Sequence, residues 1–377
     1  MSQQHTQIRL LHTPLAKRVF STRTRKLMEF DIRRLQARLK RYKHTAVMPL
    51  STKLHLGSGK RRVTSESGTH VISMSPNGVY FGDYSSALDR PWVQTLRRST
   101  DGEEIALLAQ ADRKRIGQYD VPASEIVRMK AADGVTELFA RVTRPSGFQA
   151  GRKYPAIVRV YGGPHAQAVV NAWGGLTIDQ VFANRGFVVF QVDNRGTAGR
   201  GHLFESAVFR KLGVTEVQDQ KAAVQQLVAM GFVDPDRIGI TGWSYGGFMT
   251  LNTMLHVPDM FRAGIAGAPV TNFANYDTIY TERYMGLPGE NKEGYAQTDM
   301  PSLAKNLRGR LMLMCNIEDD NVLFRNTFQM VNALEVAGKT FDFMLYPQKT
   351  HGVTGPLTRQ MNATVLDFFE RELESGK

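Results

Sequence analysis

The chain has 377 residues, 42% of them hydrophobic and 22% charged, a balance that excludes a disordered chain and is long enough for a large core and more than one folded unit. No stretch approaches the roughly 18 uncharged apolar residues of a membrane-spanning helix. The net charge of +13 sits in one place: residues 1–70 carry 16 Lys/Arg against 3 Asp/Glu, which leaves 32 against 32 in the remainder. A general nucleic-acid-binding surface is therefore not expected, because the body of the chain is neutral.

In chain order, residues 1–62 read as a basic extension. Met28, Ile32, Leu35 and Leu39 fall at helical spacing among Arg33, Arg34, Arg38, Lys40 and Arg41, so a short basic amphipathic helix is expected there. A solvated extension is preferred over a nucleic-acid or membrane contact, since charge runs usually serve only as solvated surface. Residues 1–20 lack the apolar core of a secretory signal, so a cytoplasmic location is expected of the chain as written. Cys315 is the only cysteine, which excludes an intramolecular disulfide.

Residues 63–118 change to short strands, at 70–74, 79–84, 92–96 and 105–108, separated by turn signals at Pro76, Asn77 and Gly78 and at Asp101 and Gly102. They predict one four-stranded antiparallel sheet, the size of a single propeller blade. Residues 119–377 open with a hairpin, 124–130 and 136–143, around Asp133 and Gly134. Apolar strands at 156–161, 187–192, 238–241, 263–268, 311–315 and 341–346 then alternate with helices, the clearest at 214–230, 326–337 and 362–374. This alternation predicts an α/β fold with a mostly parallel sheet covered on both faces.

The stretch Gly242, Trp243, Ser244, Tyr245, Gly246, Gly247 stands between the strand at 238–241 and a helical segment at 248–257. Glycine two residues either side of a serine, at a strand-to-helix turn, describes a nucleophile elbow, in which Gly242 and Gly246 let the turn close and lift the hydroxyl clear of the sheet. Ser244 is the candidate nucleophile. Triad order in this architecture is Ser, then an acid, then His. His256 lies inside the helix that the elbow opens, so order selects His351, in a loop past the last strand. The acid must come from Glu318, Asp319 or Asp320, which spacing does not separate. One oxyanion donor is the backbone N–H of Tyr245, and a second is a glycine N–H or the Tyr161 hydroxyl in the loop 160–165. No His/Cys cluster suggests a metal, and the chemistry needs no cofactor.

Several motifs resemble those of the prolyl oligopeptidase family of serine peptidases, most closely the dipeptidyl peptidase IV branch: VYGGP at 160–164, DNRG at 193–196, GFVD at 231–234, GWSYGG at 242–247, YTERYMGLP at 280–288 and EDDNV at 318–322. The likeness runs from about residue 65 to the C-terminus. It implies an α/β-hydrolase fold preceded by a remnant antiparallel propeller blade, with Asp319 as the triad acid and the Tyr161 side chain in the oxyanion hole. It also implies that Asn321 meets the substrate carbonyl and that Tyr245, Val270, Phe273, Tyr276, Tyr280 and Val322 form the pocket for proline at P1. Flat aromatic walls suit a pyrrolidine ring, because they supply apolar contact without a hydrogen-bond demand. Phe273 stands where a larger aromatic is usual.

The implied activity is cleavage after proline or alanine through an acyl-enzyme, with peptides as substrates and a homodimer formed through the hydrolase domain. Family members are often periplasmic or secreted. Two features depart from the family pattern. One blade stands where a whole propeller is usual, and no counterpart of the glutamate pair that holds a free substrate N-terminus is found. The alternative expectation is a truncated, catalytically inert fragment that serves as a binding module.

Overall fold

A computed structural model describes the backbone of residues 53–56 and 59–374, and side chains from residue 62 onward. The amphipathic helix expected around residues 28–39 lies outside the described residues. Two compact units divide between Ala111 and Asp112, with Leu88–Arg90 counted in the second.

The first unit begins with a two-stranded antiparallel ladder, β1 (Lys53–Leu56) and β2 (Gly59–Arg62), which nothing in the hydrophobic pattern marks. It continues as the four-stranded sheet expected, in the order β3 (Thr69–Met74), β4 (Tyr80–Ala87), β5 (Arg90–Arg98), β6 (Glu104–Gln110). Each connection is a short turn, so neighbours in sequence are neighbours in the sheet.

The second unit is built on an eight-stranded sheet. Its strands are β7 (Ser124–Lys130), β8 (Glu137–Thr143), β9 (Tyr154–Arg159), β10 (Val188–Asp193), β11 (Val233–Trp243), β12 (Ala263–Gly267), β13 (Arg310–Asn316) and β14 (Asp342–Tyr346). Their spatial order is β14-β13-β12-β11-β9-β10-β8-β7. The hairpin β7–β8 joins β10 antiparallel, and from β10 to β14 every pairing is parallel.

Buried strands covered on both sides must be apolar on both faces, and the side chains divide accordingly. Ala156, Val158, Val188, Phe190, Leu311 and Leu313 face one core; Ile157, Val189, Ile265, Met312 and Met314 face the other. On the second face lie α1 (Ile178–Asn184), through Phe182 and Ala183, and the C-terminal helix, through Val365, Phe368, Phe369 and Leu373. The first face is covered by α2 (Val214–Ala229), α3 (Tyr245–His256) and, beyond the short helix α4 (Thr278–Met285), by α5 (Arg325–Val336).

The C-terminal helix, α6, spans Leu357–Glu374 and so starts five residues before its expected position. The period of its apolar face is clear only from Met361 onward, where it packs on the second core. Helix α4 was hidden for a different reason. Its two tyrosines share one face but span only a single turn of an 8-residue helix, too short for a period to show, and its start is set by Asp277, which accepts a hydrogen bond from the Tyr280 N–H at 2.8 Å.

Candidate active site

Strand β11 runs straight into α3, and Ser244 occupies the junction with φ +61° and ψ −120°. A serine has no comfortable well there, so the conformation is strained and must be held from outside. Two backbone hydrogen bonds hold it. The Ser244 N–H donates to Gly267 O at 2.8 Å, and its carbonyl accepts from Phe248 N–H at 3.0 Å. The flanking glycines are demanded by close approach, since a Cβ on either Gly242 or Gly246 would lie 2.3 Å from the Val160 carbonyl oxygen.

The other candidate groups arrive on the carboxyl ends of neighbouring parallel strands, where ligand-facing loops of such sheets collect. Asp319 follows β13 and His351 follows β14. His351 Nδ1 lies 2.9 Å from Asp319 Oδ2 and 3.1 Å from Oδ1. Asp319 is 3% exposed, and its Oδ1 also accepts the N–H groups of Asn321, at 3.0 Å, and Val322, at 2.9 Å. A buried carboxylate with those donors fixes the imidazole tautomer and leaves Nε2 facing outward. Of the three acids in the loop, Asp319 is the one that meets the histidine.

The His351 loop is tied down twice. Trp243 Nε1 donates to the His351 carbonyl at 2.7 Å, and Asn316 Nδ2 donates to the Thr350 carbonyl. Among the hydrogen bonds of the described residues, none joins the Ser244 hydroxyl to His351; such contacts commonly tighten only when substrate is in place.

Tyr161 follows β9 and faces the elbow, its ring centroid 6.1 Å from that of Tyr245. The residue is 38% exposed, yet burial on its inner side pushes the hydroxyl above the ordinary tyrosine range, so it remains a neutral donor. Gly163 passes between these rings, where a Cβ would stand 2.9 Å from Tyr161 and 3.0 Å from Tyr245. The Tyr245 N–H belongs to the first turn of α3, whose amides have no acceptor within the helix.

The expected pocket residues form one continuous aromatic wall. Tyr245 meets Phe273 at 5.8 Å, Phe273 meets Tyr276 at 6.1 Å, and Tyr276 meets Tyr280 at 5.5 Å. Val270, Phe273 and Val322 are buried, while Tyr276 and Tyr280 are half-buried. Desolvation pushes the Tyr276 hydroxyl up to about 12 and raises Tyr280 further. Tyr276 donates to Asn321 Oδ1 at 2.6 Å, which occupies the amide oxygen of Asn321.

Sequence reasoning missed four neighbours. Phe248 packs edge-on against Tyr245 at 5.3 Å, and Tyr284 extends the wall from Tyr280 at 4.8 Å and touches the His165 ring at 5.8 Å. Glu216, in the first turn of α2, accepts the Tyr245 hydroxyl at 2.7 Å. Only Tyr284, inside a quoted motif, carried a signal that could have found it. Among the described residues no cluster of three or more His, Cys, Asp or Glu is arranged for a metal, and no helix is long and apolar enough to cross a membrane.

The comparisons with known proteins point to one family. Human dipeptidyl peptidase 8 is 40% identical over 243 residues, covering 63% of this chain and 27% of that protein. Human prolyl endopeptidase FAP is 35% identical over 284 residues, covering 74% of this chain and 37% of that protein. The crystal structure of Porphyromonas gingivalis dipeptidyl peptidase 4 superposes with a TM-score of 0.80 at 33% identity, over 84% of this chain and 45% of that one. The chain thus spans less than half the length of the relatives it matches. Residues 177–376, which contain the elbow and the loops of Asp319 and His351, match the prolyl oligopeptidase family as a whole, and the chain belongs to that family.

Proposed function

We propose that the chain is a serine peptidase that cleaves peptide bonds after proline through an acyl-enzyme. Ser244 Oγ attacks the scissile carbonyl carbon and passes its proton to His351 Nε2. Asp319 holds the imidazole and stabilises the imidazolium. The oxyanion is received by the Tyr161 hydroxyl and the Tyr245 N–H, donors that act on charge present in the transition state. His351 then returns the proton to the leaving amine, and water repeats the sequence on the ester. The P1 ring lies against Tyr245, Val270, Phe273, Tyr276, Tyr280 and Val322, and the Asn321 NH2 meets a substrate carbonyl.

The observation that carries this reading is the buried Asp319 bonded to His351 at 2.9 Å, in loops beside an elbow whose serine is held at φ +61°. Peptides are the substrates it implies, and a homodimer through the hydrolase unit belongs to the same reading. Sedimentation of the purified chain tests the dimer. The activity is tested by a fluorophosphonate probe with the adduct located by mass spectrometry: the label is expected on Ser244 and absent in Ser244→Ala. A folded protein that takes no label would move the chain to the inert binding module.

A further inference from the structure

One buried carboxyl beside the site has no part in the proton transfers above. Glu216 is fully buried. Its Oε1 accepts the Tyr245 hydroxyl at 2.7 Å, and its Oε2 has no hydrogen-bond partner among the described residues. A bare carboxylate oxygen in the interior is costly unless a cation or a proton answers it. Among the described residues no cation answers this one. The charged group next along α2 is Asp219, of the same sign, and the nearby cation Arg195 is spent on it, with Nη2 2.7 Å from Oδ1 and Nε 2.9 Å from Oδ2. Arg195 Nη1 is bound in turn to Asp133 at 2.7 Å.

The other groups that face the carboxyl are the N–H groups of Gly213 and of Glu216 itself, which favour the charged form, and the hydroxyls of Tyr245 on α3 and Tyr280 on α4. Burial outweighs these donors and pushes the Glu216 carboxyl up to about 7. The proton thus exchanges within the neutral range, at the far end of a ring that faces the elbow.

Tyr245 has two ends with different duties. Its backbone N–H stands beside Ser244, and its ring, 3% exposed, backs the aromatic wall. The ring meets carbon on its sides, at Phe248, Phe273 and Tyr161. Among the described residues, the hydroxyl bond to Glu216 is the one that fixes it along its length. We propose that Glu216 is a positioning residue for the P1 wall: its carboxyl anchors the Tyr245 ring, and its charge state sets how firmly the pocket holds a pyrrolidine ring. This rests on the P1 pocket assigned under the proposed function. An ionised carboxylate accepts a stronger hydrogen bond than a neutral acid does, so the pocket tightens as pH rises.

The test uses the full chain, the fluorophosphonate probe and N-acetylalanyl-pyrrolidide, which occupies a proline pocket, has no scissile peptide bond after it and carries no titrating group. Protection of Ser244 from labelling, taken relative to each protein's own unprotected rate, gives the pyrrolidide Kd at about pH 6 and about pH 8, either side of the carboxyl's titration near 7. The wild type is expected to bind several-fold tighter at the higher pH. Glu216→Gln keeps an acceptor for Tyr245 but cannot ionise, so its Kd is expected to be flat. Glu216→Ala loses the anchor and is expected to bind about tenfold more weakly at both, with circular dichroism to verify folding.

A Glu216→Gln protein that keeps the wild-type pH dependence would overturn the inference, as would a folded Glu216→Ala with wild-type affinity. If the wild type is labelled but not protected, the proline pocket itself is wrong. If it is not labelled, the triad reading falls first.

Discussion

Trp243 and His351 are separated by 108 residues, yet the Trp243 indole N–H donates to the His351 carbonyl at 2.7 Å. The residue before the proposed nucleophile therefore holds the backbone of the proposed base. The indole ring lies on Gly267, where a Cβ would stand 2.1 Å from it, and Gly267 in turn accepts the Ser244 N–H. Elbow, β12 and histidine loop are one mechanical unit.

Trp243→Phe keeps a ring over Gly267 and removes only the N–H. The expected outcome is a fall of about tenfold in the rate of Ser244 labelling, because a loosened base spends less time in line with the hydroxyl, with a change in melting temperature of only about 2–4 °C. Labelling kinetics and a thermal melt measured on the same sample check it.

Asp319→Asn leaves the shape of the loop but presents the wrong partner to His351 Nδ1. Labelling at Ser244 should fall by roughly 10³–10⁴-fold, the scale of a wrong tautomer. The Asn321 and Val322 N–H groups can still be accepted by the amide oxygen, so the protein should fold. Asp320→Asn, one residue away and without these contacts, should change the rate by less than about twofold.

The strain at Ser244 predicts an order of stabilities among variants that both lack the hydroxyl. Ser244→Gly should be more stable than Ser244→Ala by about 1 kcal/mol, because glycine accepts φ +61° without the Cβ penalty. Urea unfolding of the pair measures the difference directly. Equal stabilities would mean that the turn stores no strain.

The pH dependence of stability follows from Glu216. Its folded pKa, about 7, lies above its ordinary value of 4.5, so between these values the folded state holds a proton that the unfolded state releases. Its contribution is therefore fully present below about pH 4.5 and is lost as pH rises through 7. Relative to Glu216→Gln, the wild type should lose on the order of 3 kcal/mol across that window. Urea midpoints of both proteins at several pH values check the sign.

The order of strands and helices along the chain, the four-stranded sheet and the elbow at Ser244 were legible in the sequence, because each is written in local signals. Period-two and period-3.6 apolar spacing, turn residues and glycines at a strand-to-helix junction all act over a few residues. The triad was legible in part. Chain order picked His351, and three adjacent acids could not be ranked by spacing; the family resemblance named Asp319, and in the fold its carboxylate is the one bonded to the ring.

Helix α4, whose tyrosines extend the pocket wall, was not legible as a helix, since its 8 residues are too few for a helical period to show. Nor was Glu216. A glutamate in the first turn of a helix reads locally as a favourable charge at the dipole's positive end, and its meaning depends on what covers it. The sequence by itself determined the strands of the two larger sheets, the longer helices, their order and the serine at the elbow, because these rest on near-neighbour chemistry. Only the tertiary structure decided which indole pins the His351 loop and which buried acid stands behind Tyr245, because burial and contact between residues tens to a hundred positions apart exist only once the sheet is assembled.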